Sequence, residues 1–175
     1  LLGPGPSNVH PDVLRAMAQP LIGHLDPAFL GLLDHVQRDL RELFGTQNRF
    51  TLPLSAPGSA GMETCLVNLL EPGNHALVGI TGVFGGRMAE VAERAGARVT
   101  RVESPGGQPL DEDAMARAIA REEPDLVAFV HAETSTGVQQ DPEAIARHAH
   151  DAGSLVVLDC VTSLAGVAIE LDRWG

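Results

Sequence analysis

Residues 75–103 read HALVGITGVFGGRMAEVAERAGARVTRVE. The apolar run at 75–80 has the length of a buried strand, and residues 84–95 repeat apolar side chains at helical spacing. Residues 97–102 then form a second candidate strand. A strand, a helix and another strand in this order make a βαβ unit, in which the helix crosses over between two parallel strands. This stretch therefore predicts an α/β fold built on a parallel sheet.

The alternation of helices and strands continues on both sides of this unit. The pattern predicts helices at 11–18, 27–44, 60–71, 112–121 and 142–152, and strands at 50–54, 125–130, 154–158 and 167–170. Asp111 precedes one of these helices as a predicted N-cap. Because the strands are apolar on both faces, we expect a mostly parallel sheet with helices on both faces. In such sheets, ligands gather at the carboxyl ends of the strands.

The bulk composition argues against several classes of protein. The 175 residues carry a formal net charge of −11, which disfavours nucleic acid or an anionic membrane as a main partner. No apolar run approaches the roughly 18 residues that a membrane span requires. Cys65 and Cys160 lie far apart without a C-x-x-C motif, so we interpret both as buried apolar residues of a protein in the reducing cytoplasm.

Small residues cluster where the first predicted strand meets a helix, in SAPGSAGMET at 55–64. Ser59 is placed to cap the helix at 60–71, while Ala60 and Gly61 would present N–H groups that no side chain covers. The N-terminus of a helix carries about half a positive charge, so a phosphate group would bind well there. The alternative is a capped turn that binds nothing.

Phe84 stands in ITGVFGGRM at 80–88, between Gly82 and Gly85, where a strand gives way to a helix. The chain has few aromatic residues, and an aromatic ring in a loop at a strand end can stack on a flat heterocycle. The alternative is a phenylalanine folded back onto the core.

Two further strand ends deliver polar side chains. The segment HAETSTGV at 131–138 places hydroxyl groups after a buried strand, either to bind a ring substituent, with Glu133 ordering them, or to form a turn whose side chains satisfy the local backbone. Asp159 follows the apolar run 155–158 directly. A carboxylate there needs a partner, which would be an arginine, a metal or a protonated ring nitrogen. No His or acid stands at ligand spacing around Asp159, so we predict no metal site.

These motifs, taken together, resemble those of the class V aminotransferases, and of the alanine–glyoxylate and serine–pyruvate branch in particular. The resemblance covers the whole chain and rests on the order and spacing of GPGPSNV at 3–9, GSAGMET at 58–64, GVFGGRMAEVAERAGARV at 82–99, HAETSTGV at 131–138 and LDCVTSLAG at 158–166. It implies pyridoxal 5′-phosphate (PLP) as the cofactor, the fold of the aspartate aminotransferase superfamily (fold type I) and a homodimer.

The resemblance also implies a role for each residue of the N-terminal motifs. Ser59, Ala60 and Gly61 would hold the phosphate group of PLP at the start of their helix. The GPGPSN segment would run close to the substrate, with Gly5 as the candidate contact.

The remaining motifs would surround the pyridine ring. Phe84 would stack on one face of the ring and Val161 would press on the other, while Thr134 would lie near the ring hydroxyl. Asp159 would pair with the protonated ring nitrogen. PLP acts as an electron sink that works best with this nitrogen protonated, and an adjacent carboxylate favours the protonated form.

The chain departs from the family pattern in one respect that bears on activity. The family's Schiff-base lysine lies some tens of residues beyond the aspartate, and this chain contains no lysine. The family's substrate-binding arginine lies later still. We therefore expect residues 1–20 to form an N-terminal arm and short helix, and residues 21–175 a truncated PLP-binding large domain that lacks the C-terminal small domain. Such a fragment is predicted to be inactive alone.

The favoured hypothesis is a PLP-dependent aminotransferase that transfers an amino group from alanine or serine to glyoxylate or pyruvate. The alternatives within the family are a 2-aminoethylphosphonate transaminase and a related PLP lyase. Outside it, the sequence is compatible with a non-catalytic α/β module that binds PLP or another phosphate, or with an inert interaction subunit.

Overall fold

A computed structural model describes residues 4–175, so the first three residues of the predicted arm lie outside the described part of the chain. The helices are α1 (Pro11–Met17), α2 (Pro27–Leu43), α3 (Gly58–Leu69), α4 (Val83–Arg94), α5 (Glu112–Glu122), α6 (Pro142–Asp151) and α7 (Leu171–Trp174). The strands are β1 (His75–Ile80), β2 (Arg98–Glu103), β3 (Leu126–Val130), β4 (Ala132–Glu133), β5 (Val138–Gln139) and β6 (Leu155–Asp159).

Four strands form one parallel sheet in the order β2-β1-β3-β6, while β4 and β5 form a short antiparallel pair. Side chains alternate between the two faces of β1, so Ala76 and Val78 pack into the core under α3 and α4. Leu77 points to the opposite face and packs with side chains of α5 and α6. The predicted parallel sheet with helices on both faces is therefore confirmed.

The strand order reverses at β1. The chain leaves β1 for β2 on one side, and then returns to the other side of β1 as β3. Such a reversal leaves a crevice outside the carboxyl ends of the two central strands, because their following segments diverge to opposite faces. The segments that follow β1, β3 and β6 all emerge at this edge.

Two predicted strands are wrong. Residues 50–54 form no strand and pair with none of the described strands, so no neighbour completes their backbone hydrogen bonds. Residues 167–170 are irregular and lead into the short helix α7. The predicted N-cap of α5 is confirmed, since the Asp111 carboxylate accepts a hydrogen bond from the N–H of Ala114 at 2.9 Å.

The N-terminal and C-terminal thirds of the chain are joined through Asp172 at the start of α7. Its carboxylate accepts hydrogen bonds from the Thr46 hydroxyl at 2.5 Å and from the Gln47 N–H at 2.8 Å. The hydrogen bond from Thr46 is the main reason that the pKa of Asp172 is lowered from its ordinary 3.8, and the bond from Gln47 adds to the effect. Both bonds favour the ionised carboxylate.

We predict that Asp172→Asn lowers the melting temperature at neutral pH and that this difference shrinks in acid. A carboxyl group whose pKa is lower in the folded state stabilises the fold above its unfolded pKa, near 3.8, and loses that contribution as the pH falls through the folded value. Thermal unfolding from pH 7 to pH 2.5 measures the difference. Asp34→Asn, at an exposed position on α2, serves as the control. A difference that stays constant with pH would contradict the assignment.

Candidate functional site

The segments that follow β1, β3 and β6 meet at one edge of the sheet. The N–H of His131, after β3, donates to the carbonyl oxygen of Asp159 at 2.9 Å. The Thr136 hydroxyl donates to the carbonyl oxygen of Thr81, after β1, at 3.1 Å. These bonds fix the three strand ends side by side at one edge of the sheet.

The start of α3 differs from the prediction by two residues. Pro57 is the N-cap and no side chain caps the helix, so Ser59 is inside the helix and does not cap it. The N–H groups of Ala60 and Gly61 already bond to the carbonyl oxygen of Pro57, at 2.9 and 3.2 Å. At this helix start, the N–H groups of Gly58 and Ser59 therefore have no acceptor among residues 4–175.

Arg87 adds a positive charge at this helix start. Its guanidinium donates to the Ser59 hydroxyl at 2.8 Å and stands over the ring of Phe84, 5.1 Å from the centroid. The first turn of α3 carries no acidic side chain. The positive end of the helix dipole and the arginine thus act in the same direction, and an anion placed between them would be stabilised by both.

Phe84 is the second residue of α4, so the expectation that it stands in a loop is wrong. The ring is half-buried and packs against the core on the α3 and α4 side of the sheet. The core-packing alternative therefore accounts for part of its position. The exposed remainder lies next to Arg87 at the site.

The loop that follows β6 connects Asp159 to the start of α3. Its carboxylate accepts a hydrogen bond from the N–H of Val161 at 2.9 Å. The Val161 side chain in turn packs on Gly58, where a Cβ atom would lie 2.6 Å from its methyl group. Val161 is nevertheless 65% exposed, so most of its side chain is available to a ligand.

Cys65, two turns along α3, is exposed, so the interpretation of this cysteine as a buried residue is wrong, whereas Cys160 is buried. Burial is the main reason that the pKa of the Cys65 thiol is raised, and the negative charge of Asp159 adds to it. Both causes disfavour the thiolate.

The segment after β3 contributes two kinds of group. The hydroxyl of Thr134 is hydrogen-bonded to that of Thr162, which joins the loops after β3 and β6. The carboxylate of Glu133 is only 1% exposed and accepts hydrogen bonds from the N–H groups of Phe84, Gly85 and Ser135. Thr134 therefore faces the crevice, while Glu133 points beneath it.

His131 has a structural environment. It is 2% exposed, its Nδ1 atom lies 2.9 Å from the Ser163 hydroxyl, and its ring meets Trp174 edge-on. Burial lowers the pKa of His131, and the charge of Asp141 opposes this only in part. The imidazole is thus neutral at pH 7 and packs in the core.

Gly5, the predicted substrate contact, lies in the segment that precedes α1. It is exposed, and the space beside its Cα atom is open to at least 4 Å.

Among residues 4–175, no group of three or more His, Cys, Asp or Glu side chains is placed to hold a metal ion. None of the described helices combines the length and the apolar character needed to cross a membrane.

Sequence reasoning missed two residues of this site, Gly58 and Arg87, and the α4 partners of a third, Glu133. Glu133 follows a buried strand as Asp159 does, so its position carried a signal, but its partners on α4 are 48 to 49 residues away. Gly58 follows a proline that fits the turn before a helix, and this could have placed the helix start correctly. Arg87 gave no signal, because its partner Ser59 lies on another helix.

The chain belongs to the class V aminotransferases, since the model of that family matches residues 2–175. Among its curated relatives are the alanine–glyoxylate aminotransferase of Rattus norvegicus, 40% identical over the whole chain, and the (S)-ureidoglycine–glyoxylate transaminase of Bacillus subtilis, 38% identical over 99% of it. The chain spans 42% of the length of each of these two proteins.

Solved structures agree with this assignment. The alanine–glyoxylate aminotransferase of Nostoc sp. superposes with a TM-score of 0.97 at 45% identity, over 99% of this chain and 46% of that one. The aspartate aminotransferase of Thermus thermophilus that belongs to subgroup IV gives 0.90 at 34% identity, over 99% of this chain and 49% of that one. The fold is therefore that of the PLP-dependent aminotransferases, of which this chain covers less than half.

Membership of this family implies PLP as the cofactor, and the residues present fit it. The start of α3 offers two N–H donors and an arginine to a phosphate group. The Asp159 carboxylate accepts a single hydrogen bond among residues 4–175, which leaves acceptor capacity for a protonated ring nitrogen. Val161 connects the two by packing on Gly58.

We predict that Phe84→Ala weakens PLP binding more than Phe44→Ala does. The loss of an aromatic contact costs about 0.5–1.5 kcal/mol beyond buried area, which corresponds to roughly two- to tenfold in affinity. Phe44 is the matched control, because it is also half-buried but packs near Cys160 and Trp174. PLP titration of both variants of the full-length protein measures the difference. Equal losses of affinity would favour a purely structural role for Phe84.

Proposed function

We propose that the full-length protein is a PLP-dependent transaminase that transfers an amino group from alanine or serine to glyoxylate or pyruvate. The observation that carries the proposal is the contact between Val161 and Gly58, which sets the Asp159 strand end against the uncapped start of α3. An anion-binding helix end and a carboxylate are thereby held beside each other at the edge of the sheet. When PLP is bound, it supplies the electron sink for breaking the Cα–H bond of the amino acid.

The proposed anion site consists of the N–H groups of Gly58 and Ser59, with the Arg87 guanidinium beside them. This replaces the set of Ser59, Ala60 and Gly61, because the N–H groups of the last two residues are engaged within the helix. The helix dipole and the arginine together hold the phosphate group in place.

The proposed ring contacts are those that the resemblance implies. Asp159 holds a proton on the ring nitrogen by its opposite charge. Val161 and Phe84 pack on the two faces of the ring, and Thr134 lies near the ring hydroxyl. The exposure of Val161 and the strand-end position of Thr134 support these assignments.

The relatives support glyoxylate as the acceptor more strongly than any donor. Both named relatives have glyoxylate in their names, whereas one names alanine and the other (S)-ureidoglycine as the donor. The family position of the substrate-binding arginine falls outside the 175 residues, so these residues alone do not select the donor.

The catalytic unit is proposed to be a homodimer of the full-length chain in the cytoplasm. The N-terminal region supports association, because α1 and α2 contain no buried residue although both carry large apolar side chains. The exposed apolar side chains before α2 include Val13, Leu14, Met17, Leu21, Ile22 and Leu25. A surface of this kind is unusual for a monomer.

The 175 residues contain no lysine, so we expect them not to transaminate alone.

The activity is tested with the purified full-length protein and PLP. Alanine, serine and (S)-ureidoglycine are offered as donors, with glyoxylate or pyruvate as acceptor, and the new amino acid is quantified. Formation of glycine from glyoxylate with alanine or serine supports the proposal. Transfer from (S)-ureidoglycine alone would assign the protein to the other relative's reaction, and PLP binding without any transfer would indicate a non-catalytic module.

We predict that Asp159→Ala lowers kcat by at least about a hundredfold with little change in the melting temperature. Loss of the carboxylate lets the ring nitrogen lose its proton, whereas the fold loses only a local hydrogen bond to Val161. The control is Asp141→Ala, which removes an equally local bond to the N–H of Glu143 at the start of α6. It should cost about 1 kcal/mol in stability and leave kcat within about twofold. A kcat of Asp159→Ala within a few-fold of the wild type would contradict the ring-nitrogen role.

A further inference from the structure

Glu133 is a buried carboxylate with an unusually complete set of partners. The N–H group of Phe84 donates to it, at 3.2 Å for the shorter of two contacts. The N–H group of Gly85 donates at 3.2 Å. The N–H and hydroxyl groups of Ser135 donate at 3.1 and 2.7 Å. The side chain is 1% exposed. A charge so far from water is retained only where several donors replace its hydration, and here four do so.

These bonds make Glu133 the N-terminal cap of α4, supplied from a different part of the chain. The N-cap residue, Gly82, has no side chain to offer, and α4 has no acidic residue in its first turn. By contrast, α2, α5 and α6 are each capped by an exposed aspartate that directly precedes them: Asp26, Asp111 and Asp141. This cap therefore does more than satisfy the first N–H groups of α4, because it also ties the segment after β1 to the segment after β3.

The residues on either side of this connection belong to the proposed PLP site. Phe84 donates its N–H to the carboxylate, and Thr134 is the next residue after Glu133 in the chain. Ser135 strengthens the link, since its hydroxyl accepts a hydrogen bond from the N–H of Val83 at 3.0 Å while donating to Glu133. The buried carboxylate therefore helps to fix the position of the Phe84 ring relative to the Thr134 hydroxyl.

The absence of a side chain at Gly82 leaves room for the same carboxylate. A Cβ atom at this position would lie 2.6 Å from the Cγ atom of Glu133 and would also overlap Ser135. The φ angle of Gly82, 167°, is extended backbone that any residue adopts, so the constraint is steric. By contrast, Gly86, one turn further along α4, has nothing within 4 Å of a Cβ atom.

We propose that Glu133 is a positioning residue that acts through α4, holding Phe84 and Thr134 in the relative placement that the PLP ring requires. The inference rests on the proposed function of the site. Glu133 acts without touching the cofactor. Its removal would loosen the start of α4 and let the two ring contacts move independently.

The experiment measures PLP binding by the apo form of the full-length protein carrying Glu133→Gln. Glutamine keeps the shape but replaces one acceptor oxygen by an NH2 group that faces N–H donors. We expect the PLP dissociation constant to rise at least tenfold and the visible circular dichroism per bound PLP to fall, because the ring loses its fixed orientation. Asp111→Asn is the matched control: the same chemical change at the N-cap of α5 should leave both quantities within twofold of the wild type.

A second pair of variants keeps the proposal testable if Glu133→Gln does not fold. Gly82→Ala displaces the carboxylate without removing it and should raise the dissociation constant at least fivefold, whereas Gly86→Ala on the same helix should leave it within twofold. If both Glu133→Gln and Gly82→Ala bind PLP with wild-type affinity and dichroism, this inference is overturned while the proposed function stands. Failure of the wild-type protein to bind PLP would overturn the proposed function and this inference with it.

Discussion

The site depends on how the backbone N–H groups at the starts of α3 and α4 find acceptors. Both helices begin at the edge of the sheet where the strands end, and neither has a side chain of its own N-cap residue to satisfy them. At α4 the buried carboxylate of Glu133 fills this need from within the protein. At α3 the described residues supply no acceptor for Gly58 and Ser59, and Arg87 adds positive charge there. One helix start is thereby fixed, and the other presents the N–H donors to which we propose that the phosphate group of PLP binds.

The parallel sheet makes this pairing possible. Because β1 and β3 are buried neighbours with the same direction, the segments after them emerge together, at the point where the strand order reverses. The loop after β6 joins them through the backbone bond from His131 to Asp159. Groups that are far apart in the sequence thus meet without any of them lying in a deep cavity.

The errors of the sequence interpretation have a common cause. Residues 50–54 have the composition of a strand, but a strand exists only where a neighbour completes its hydrogen bonds, and no described strand does so. Phe84 was placed in a loop because glycines flank it, yet Gly85 packs closely on β1 and the helix begins before it. Ser59 has the side chain of an N-cap residue, but Pro57 starts the helix earlier. In each case the local pattern was sound and a partner elsewhere in the chain decided the outcome.

The sequence by itself determined the order of most helices and strands, the parallel sheet and the family, because periodicity and short motifs are properties of neighbouring residues. It also predicts that Asp159 and the start of α3 carry the polar chemistry of the site. Only the tertiary structure decided which N–H groups remain available, that Arg87 reaches Ser59, and that Glu133 joins α4 to β3. These depend on distances between segments 28 to 49 residues apart, which the folded sheet sets and which no local pattern encodes.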